Sequence, residues 1–150
     1  MEQHVSDTIT RHRKAQEREA KCADINKATI FAALKEAGIT RMTAEFDGEG
    51  DSGQLEEFVF EGPNYKQKAL SAGTVPYQHY DRYKEQEVTL PLDFHESAER
   101  LCYELLSLKY GGWENNDGAF GTFTFDVTTE KVDLEFNQRF CDYSTQNTVF

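Results

Sequence analysis

A chain of 150 residues supplies one domain and is short for two. Its eleven Phe and seven Tyr exclude full disorder, and a chain of this size buries roughly two-thirds of its unfolded surface without a disulfide or metal. The formal charge of −11 argues against direct nucleic-acid binding, and no run approaches the roughly 20 apolar residues that span a bilayer.

In chain order, residues 1–22 are polar helix formers with few apolar positions, which predicts an exposed helical leader. A single α+β domain is expected over 23–150. From 23 to 37 the pattern changes: Ala23, Ile30, Leu34 and Ala37 recur at helical spacing, Phe31 widens the stripe, and Gly38 reads as the stop. Arg41-Met42-Thr43-Ala44-Glu45-Phe46 alternates as a strand, with Met42, Ala44 and Phe46 on one face. Residues 47–53, Asp-Gly-Glu-Gly-Asp-Ser-Gly, fit neither helix nor regular strand, and 54–61 returns as a second strand; together they predict a hairpin with a long acidic tip. Residues 62–87, broken by Pro63, Gly73 and Pro76 and studded with tyrosines, read as a surface excursion. It leads into a short strand at 87–92, whose Pro91 marks an edge or strand end. Asp93 is placed to cap a helix over 94–110 with Ala98, Leu101, Cys102, Leu105 and Leu108 as its buried stripe, and Gly111-Gly112 ends it. The final hairpin alternates Ala119, Gly121, Phe123, Phe125 and Val127 in one strand and Val132, Leu134 and Phe136 in the next. The order α-β-β-(β)-α-β-β predicts an antiparallel sheet of four to five strands, with two helices on one face and water on the other.

Charge is unevenly distributed. Residues 1–38 carry seven Lys/Arg against six Asp/Glu, whereas 39–150 carry nine against twenty-one. Such a body attracts a basic protein surface and speeds the encounter; ordinary solubility charge is the bland alternative. Cys22, Cys102 and Cys141 are odd in number, widely spaced and without a Cys-x-x-Cys pair, so they read as free thiols of a reducing, cytoplasmic compartment. The amino-terminal residues lack the basic start and apolar run of a signal peptide.

Two segments could carry chemistry. The first sets Asp47, Glu49 and Asp51 at alternate positions between glycines, a pattern that could wrap Ca²⁺ or Mg²⁺ in oxygen ligands. It is not an EF-hand: Ser52 stands where the loop needs Gly, and Phe58 where it needs a bidentate Glu. Nor is Gly48-x-Gly50-x-x-Gly53 a dinucleotide turn, because its carboxylates would repel a pyrophosphate and a strand follows where a helix is needed. The second segment, Gly111-Gly112-Trp113-Glu114-Asn115-Asn116-Asp117-Gly118, offers an aromatic anchor and two carboxylates. If both segments lie at one end of the sheet, Asp47, Glu49, Asp51, Trp113, Glu114 and Asp117 form a joint acidic contact surface. The four histidines show no metal-ligand spacing. His79 sits in a stretch that could host a general base, but it reads more simply as a surface-loop residue.

Residues 46–54 and 111–121 resemble segments of an uncharacterised domain family found in proteobacterial genomes, plasmids and prophage-like elements. The resemblance covers roughly residues 30–150 and brings no known activity. It implies a bacterial or mobile-element origin. No catalytic residue and no cofactor are assigned from the sequence. Three functions compete. The first is a non-catalytic acidic protein that docks on a basic, nucleic-acid-handling bacterial protein, as an inhibitor or nucleic-acid mimic of the anti-CRISPR kind, without contacting nucleic acid or membrane itself. The second is a divalent-metal module or metal-dependent enzyme using Asp47, Glu49 and Asp51. The third is a homodimer formed through the N-terminal helix.

Overall fold

The computed structural model describes residues 2–49, 52–63, 73–110, 118–139 and 143–150. Helix α1 runs without a break over Glu2–Glu36, so the change of composition near residue 23 leaves the helix continuous. Its second half buries the expected stripe, with Ile30, Phe31 and Leu34 all in the core. Gly38, at φ 77°, terminates it. The N–H of Gly38 reaches the carbonyl of Lys35 at 3.1 Å and that of Ile39 reaches Leu34 at 2.9 Å, the paired bonds of a Schellman stop.

Strand β1 (Arg41–Glu49) then enters the sheet. It pairs antiparallel with β2 (Ser52–Leu55) and with β3 (Val59–Glu61) on one side, and with β6 (Ala119–Asp126) on the other. Strand β7 (Lys131–Arg139) follows β6, and β8 (Tyr143–Val149) forms the far edge. The sheet order is β2-β1-β6-β7-β8, with β3 also paired to β1. A separate hairpin pairs β4 (Val75–Asp81) with β5 (Gln86–Leu92). Helix α2 (Phe94–Lys109) starts where the sequence places it: Asp93 accepts the backbone N–H of Glu96 at 2.7 Å.

Among the described residues the architecture is α+β, with two helices and antiparallel sheets. Five local readings need correction. The ladder of β1 and β2 continues through Gly48↔Gly53 to Glu49↔Ser52, so the acidic stretch is mostly strand, and residues 50 and 51 lie outside the described ones. The second strand of that hairpin is two strands: Phe46 pairs Leu55 but Met42 pairs Phe60, a register shift of one residue that marks a bulge at 56–58. Strand β4 lies inside the expected excursion, and β8 adds an edge. Leu108 is exposed, and the buried stripe of α2 uses Leu106, Phe94 and Ser97 besides the expected Ala98, Leu101, Cys102 and Leu105.

Both helices pack on one face of the large sheet, against Met42, Ala44, Phe46, Phe123, Phe125, Val132, Leu134 and Phe136. Gly121 is part of this face because nothing larger fits. A Cβ there would lie 1.9 Å from the Glu135 carbonyl oxygen and 2.8 Å from the Phe46 ring. Phe46 and Phe136, its partners on either side, meet across it with ring centroids 6.2 Å apart. Tyr110, just past α2, stacks on Phe136 at 3.9 Å and hydrogen-bonds Thr148 of β8, tying the helix end to the sheet edge.

Candidate functional site

The strand period of two leaves the other face of the large sheet in water. Register rows cross it: Glu45–Thr122–Glu135–Asn147, Thr43–Thr124–Asp133–Val149 and Asp47–Phe120–Asn137–Thr145. Glu45, Asp47, Asp133 and Glu135 are exposed around a ladder of half-buried threonines. The bulge at 56–58 adds Glu56 and Glu57, both outward, because the extra residue breaks the alternation before Phe58 turns back toward the core. A shallow depression of about 750 Å³ is lined by Glu45, Asp47, Glu56, Glu57, Thr122 and Glu135. Among the described residues no ion pair engages Glu45, Asp133 or Glu135, although Arg41 and Lys131 form the adjacent row of the same face, two residues from Thr43 and Asp133.

Of the six residues expected to form a joint acidic surface, Asp47 lies on this face. Glu49 ends β1, and Asp51, Trp113, Glu114 and Asp117 fall outside the described residues. The described flanks of the two segments do adjoin, since Gly48 of β1 pairs with Ala119 of β6. Among the described residues no group of three His, Cys, Asp or Glu side chains is arranged to hold a metal ion.

A second site was not legible in the sequence. The first half of α1, the β4–β5 turn and the last turns of α2 enclose a cleft of about 730 Å³. The hairpin is fixed to α1 by Asn26, which is buried. Its Nδ2 donates to the Gln78 carbonyl at 2.9 Å and its Oδ1 accepts the Gln78 N–H at 2.7 Å. Nearer the turn, Arg82 forms an ion pair with Glu19 and touches His12 at 3.2 Å, while Arg18 lies 5.5 Å over the Tyr80 ring. His79, expected on a loop, is exposed on β4 and lines the same cleft. On the α2 side stand Tyr103, which accepts the Leu55 N–H at 3.0 Å, and Glu104.

Glu104 is the unusual group. Its Oε2 and the hydroxyl of the adjacent Tyr77, which is 1% exposed, are both sealed from solvent, with the Tyr77 hydroxyl as the group placed to donate to the carboxylate. Burial pushes the Glu104 carboxyl up to about 7, Glu19 adds to the shift, and Tyr77 and Arg100 only partly oppose it. Cys22 lines the cleft too, but burial first and then Glu87, Glu104 and Glu19 raise its thiol, so it is held protonated rather than activated. Cys102 is likewise buried and raised by burial. The sequence signal for Glu104 is positional. It falls three residues after Leu101 and seven after Ser97, inside the apolar stripe of α2.

Comparison with known proteins gives one family. The model of DUF6878, a family of unknown function, matches residues 22–150. The chain belongs to that family. The match agrees with the resemblance to an uncharacterised domain family and reaches further toward the amino terminus, into the middle of α1. The DUF6878 region therefore includes both sheets, α2 and the Cys22, Glu104 and Tyr103 walls of the cleft, while His12, Gln16 and Glu19 precede it. No curated protein and no solved structure matches the chain. Among the described residues no helix is long and apolar enough to cross a membrane.

Proposed function

We propose that this DUF6878 protein is a non-catalytic binding protein whose open acidic sheet face docks on a basic protein surface. The observation that carries the reading is the one-sided layering. Both helices cover one face of the large sheet, and the uncovered face presents Glu45, Asp47, Asp133 and Glu135, with Glu56 and Glu57 at its edge, around an uncharged threonine ladder. Carboxylates fixed on strands are pre-organised, so little side-chain entropy is lost when a cationic surface meets them. The absence of an activated nucleophile among the described cysteines supports a binding role over covalent catalysis. The chemistry that best complements such a face is the Lys/Arg-lined channel of a nucleic-acid-handling protein, where rows of carboxylates stand in for phosphates. Inhibition of such a protein in the bacterial cytoplasm, as in counter-defence, is the physiological role that this complementarity suits.

The test is affinity capture from bacterial lysate at about 50 mM and about 300 mM salt, a range over which the Debye length falls from about 14 Å to about 6 Å. A partner held at low salt should be lost at high salt. The same partner should be lost from the variant Glu45→Gln/Asp133→Asn/Glu135→Gln, and excess duplex DNA should displace the wild-type protein from it. Retention by the triple variant overturns the proposal.

A further inference from the structure

We propose that this protein forms a two-fold symmetric dimer in which β8 pairs antiparallel with β8 of a second copy. The strand ends the large sheet, and among the described residues nothing bonds its outer edge. The Phe150 N–H reaches the Val132 carbonyl at 2.9 Å, which fixes the phase of the ladder. Residues 144, 146 and 148 therefore turn their backbone groups toward β7, and Tyr143, Thr145, Asn147 and Val149 turn theirs outward. Open edges are ordinarily blunted by charge, proline, a bulge or a cap. Elsewhere in the described fold they are. The bulge with Glu56 and Glu57 interrupts β2 and β3, and the Tyr103 hydroxyl takes the Leu55 N–H. Asn26 covers β4 at Gln78, and β5 carries Glu87 and Pro91. Strand β8 has no such guard. Residues 143–149, Tyr-Ser-Thr-Gln-Asn-Thr-Val, include no charged residue and no proline, in a chain of which 29% is charged.

That neutrality selects a second copy as the occupant. A net charge of −11 keeps copies of this chain apart wherever their carboxylates would meet. At β8 they do not meet. The nearest described carboxylates in register, Asp133 and Glu135, are on β7. Across a seam of two β8 strands those of the two copies stand three strand spacings apart, about 14 Å, beyond the Debye length of about 8 Å at physiological salt. A ladder centred on Gln146 uses every outward group: Thr145 of one copy lies opposite Asn147 of the other, and Tyr143 opposite Val149, which is 61% exposed without it. The axis stands normal to the sheet, so the closed pair removes the open edge and sets both acidic faces on one side.

The dimer rests on the β8 edge and not on the docking reading, and salt separates the two. Screening relieves self-repulsion, so rising salt should strengthen dimerisation where it releases a basic partner. Sedimentation equilibrium from micromolar to submillimolar protein should show a reversible monomer–dimer equilibrium. Gln146→Lys sets two ammonium groups opposite each other on the axis and should weaken the dimer at least about fivefold. Gln146 is exposed, so the variant should keep the far-UV circular dichroism of the wild type. Register is read by disulfide capture with oxidised glutathione in a Cys141→Ser background; Cys22 and Cys102 are buried. Gln146→Cys should be captured as a dimer, because opposed residues of a non-hydrogen-bonded pair lie about 4.5 Å apart at Cα, within disulfide reach. Val149→Cys should not be, its two copies lying about 20 Å apart along the antiparallel strands. A chain that stays monomeric at submillimolar concentration, a dimer indifferent to Gln146→Lys, or equal capture at Val149→Cys overturns the proposal.

Discussion

The carboxamide of Asn26 occupies, against β4, the place a neighbouring strand would otherwise take: one donor and one acceptor meeting the N–H and C=O of the same residue, Gln78. A helix side chain thereby completes a sheet edge, and the hairpin is held at one register on α1. Asn26→Ala should cost about 2–3 kcal/mol, because it strands two backbone groups where a buried side chain satisfied them; the urea midpoint measures it. Glu104 acts in the opposite sense. A carboxyl whose folded value lies near 7, against 4.5 as its ordinary value, binds protons more readily folded than unfolded. Its charge therefore costs nothing below about pH 4.5; the cost grows between about pH 4.5 and 7 and is fully present above 7. The groups around it are Glu19 and His12 on α1, Tyr77, His79 and Arg82 on the β4 hairpin, and Arg100 on its own helix. Part of the side chain meets the open cleft, so screening reduces the effect to on the order of 1–2 kcal/mol. Glu104→Gln should raise Tm at pH 8 by a few degrees and leave it nearly unchanged at pH 5, which thermal melts at the two pH values will check.

Helix α1 does two jobs along its length. Its second half supplies Ile30, Phe31 and Leu34 to the main core, and its first half makes only a small satellite cluster, in which Ala15 and Cys22 meet Tyr80. Removal of residues 1–21 should therefore leave a folded domain, since the main core begins at Ala23. The loss comprises an exposed ion pair, a cation–π contact and partial uncovering of Tyr80, together about 2–3 kcal/mol. Urea unfolding measures that cost. The elements also explain what sequence reading misses. In β4 the buried residues are Tyr77 and Tyr80, three apart, one facing the main core and the other α1. A strand wedged between two partners does not alternate with period two, so its pattern passes for irregular chain. Strand β8 offers Ser144, Thr145, Gln146 and Asn147, a polar run that becomes strand only because β7 presents an open edge. The bulge at 56–58 is invisible because Phe58 and Phe60 alternate correctly on one side of it, while Leu55 belongs to the other register.

At the scale of the whole molecule, the negative charge is sorted by the layering. The helix-covered face of the sheet is aromatic and aliphatic, so carboxylates on the same strands go to the far side, and alternation makes a charged face out of an acidic composition. Composition and period thus determined by themselves the α+β class, the Gly38 stop, the Asp93 cap, the buried stripe of α1 and the existence of an acidic face, because each is a local property read over a few residues. The cleft is another matter. His12, Glu19, His79 and Glu104 come from three elements distant in sequence, and each taken alone resembles an ordinary surface residue. Only tertiary packing withdraws Glu104 from water and sets it against the Tyr77 hydroxyl, since desolvation depends on which elements close over a group and not on the residues beside it in the chain.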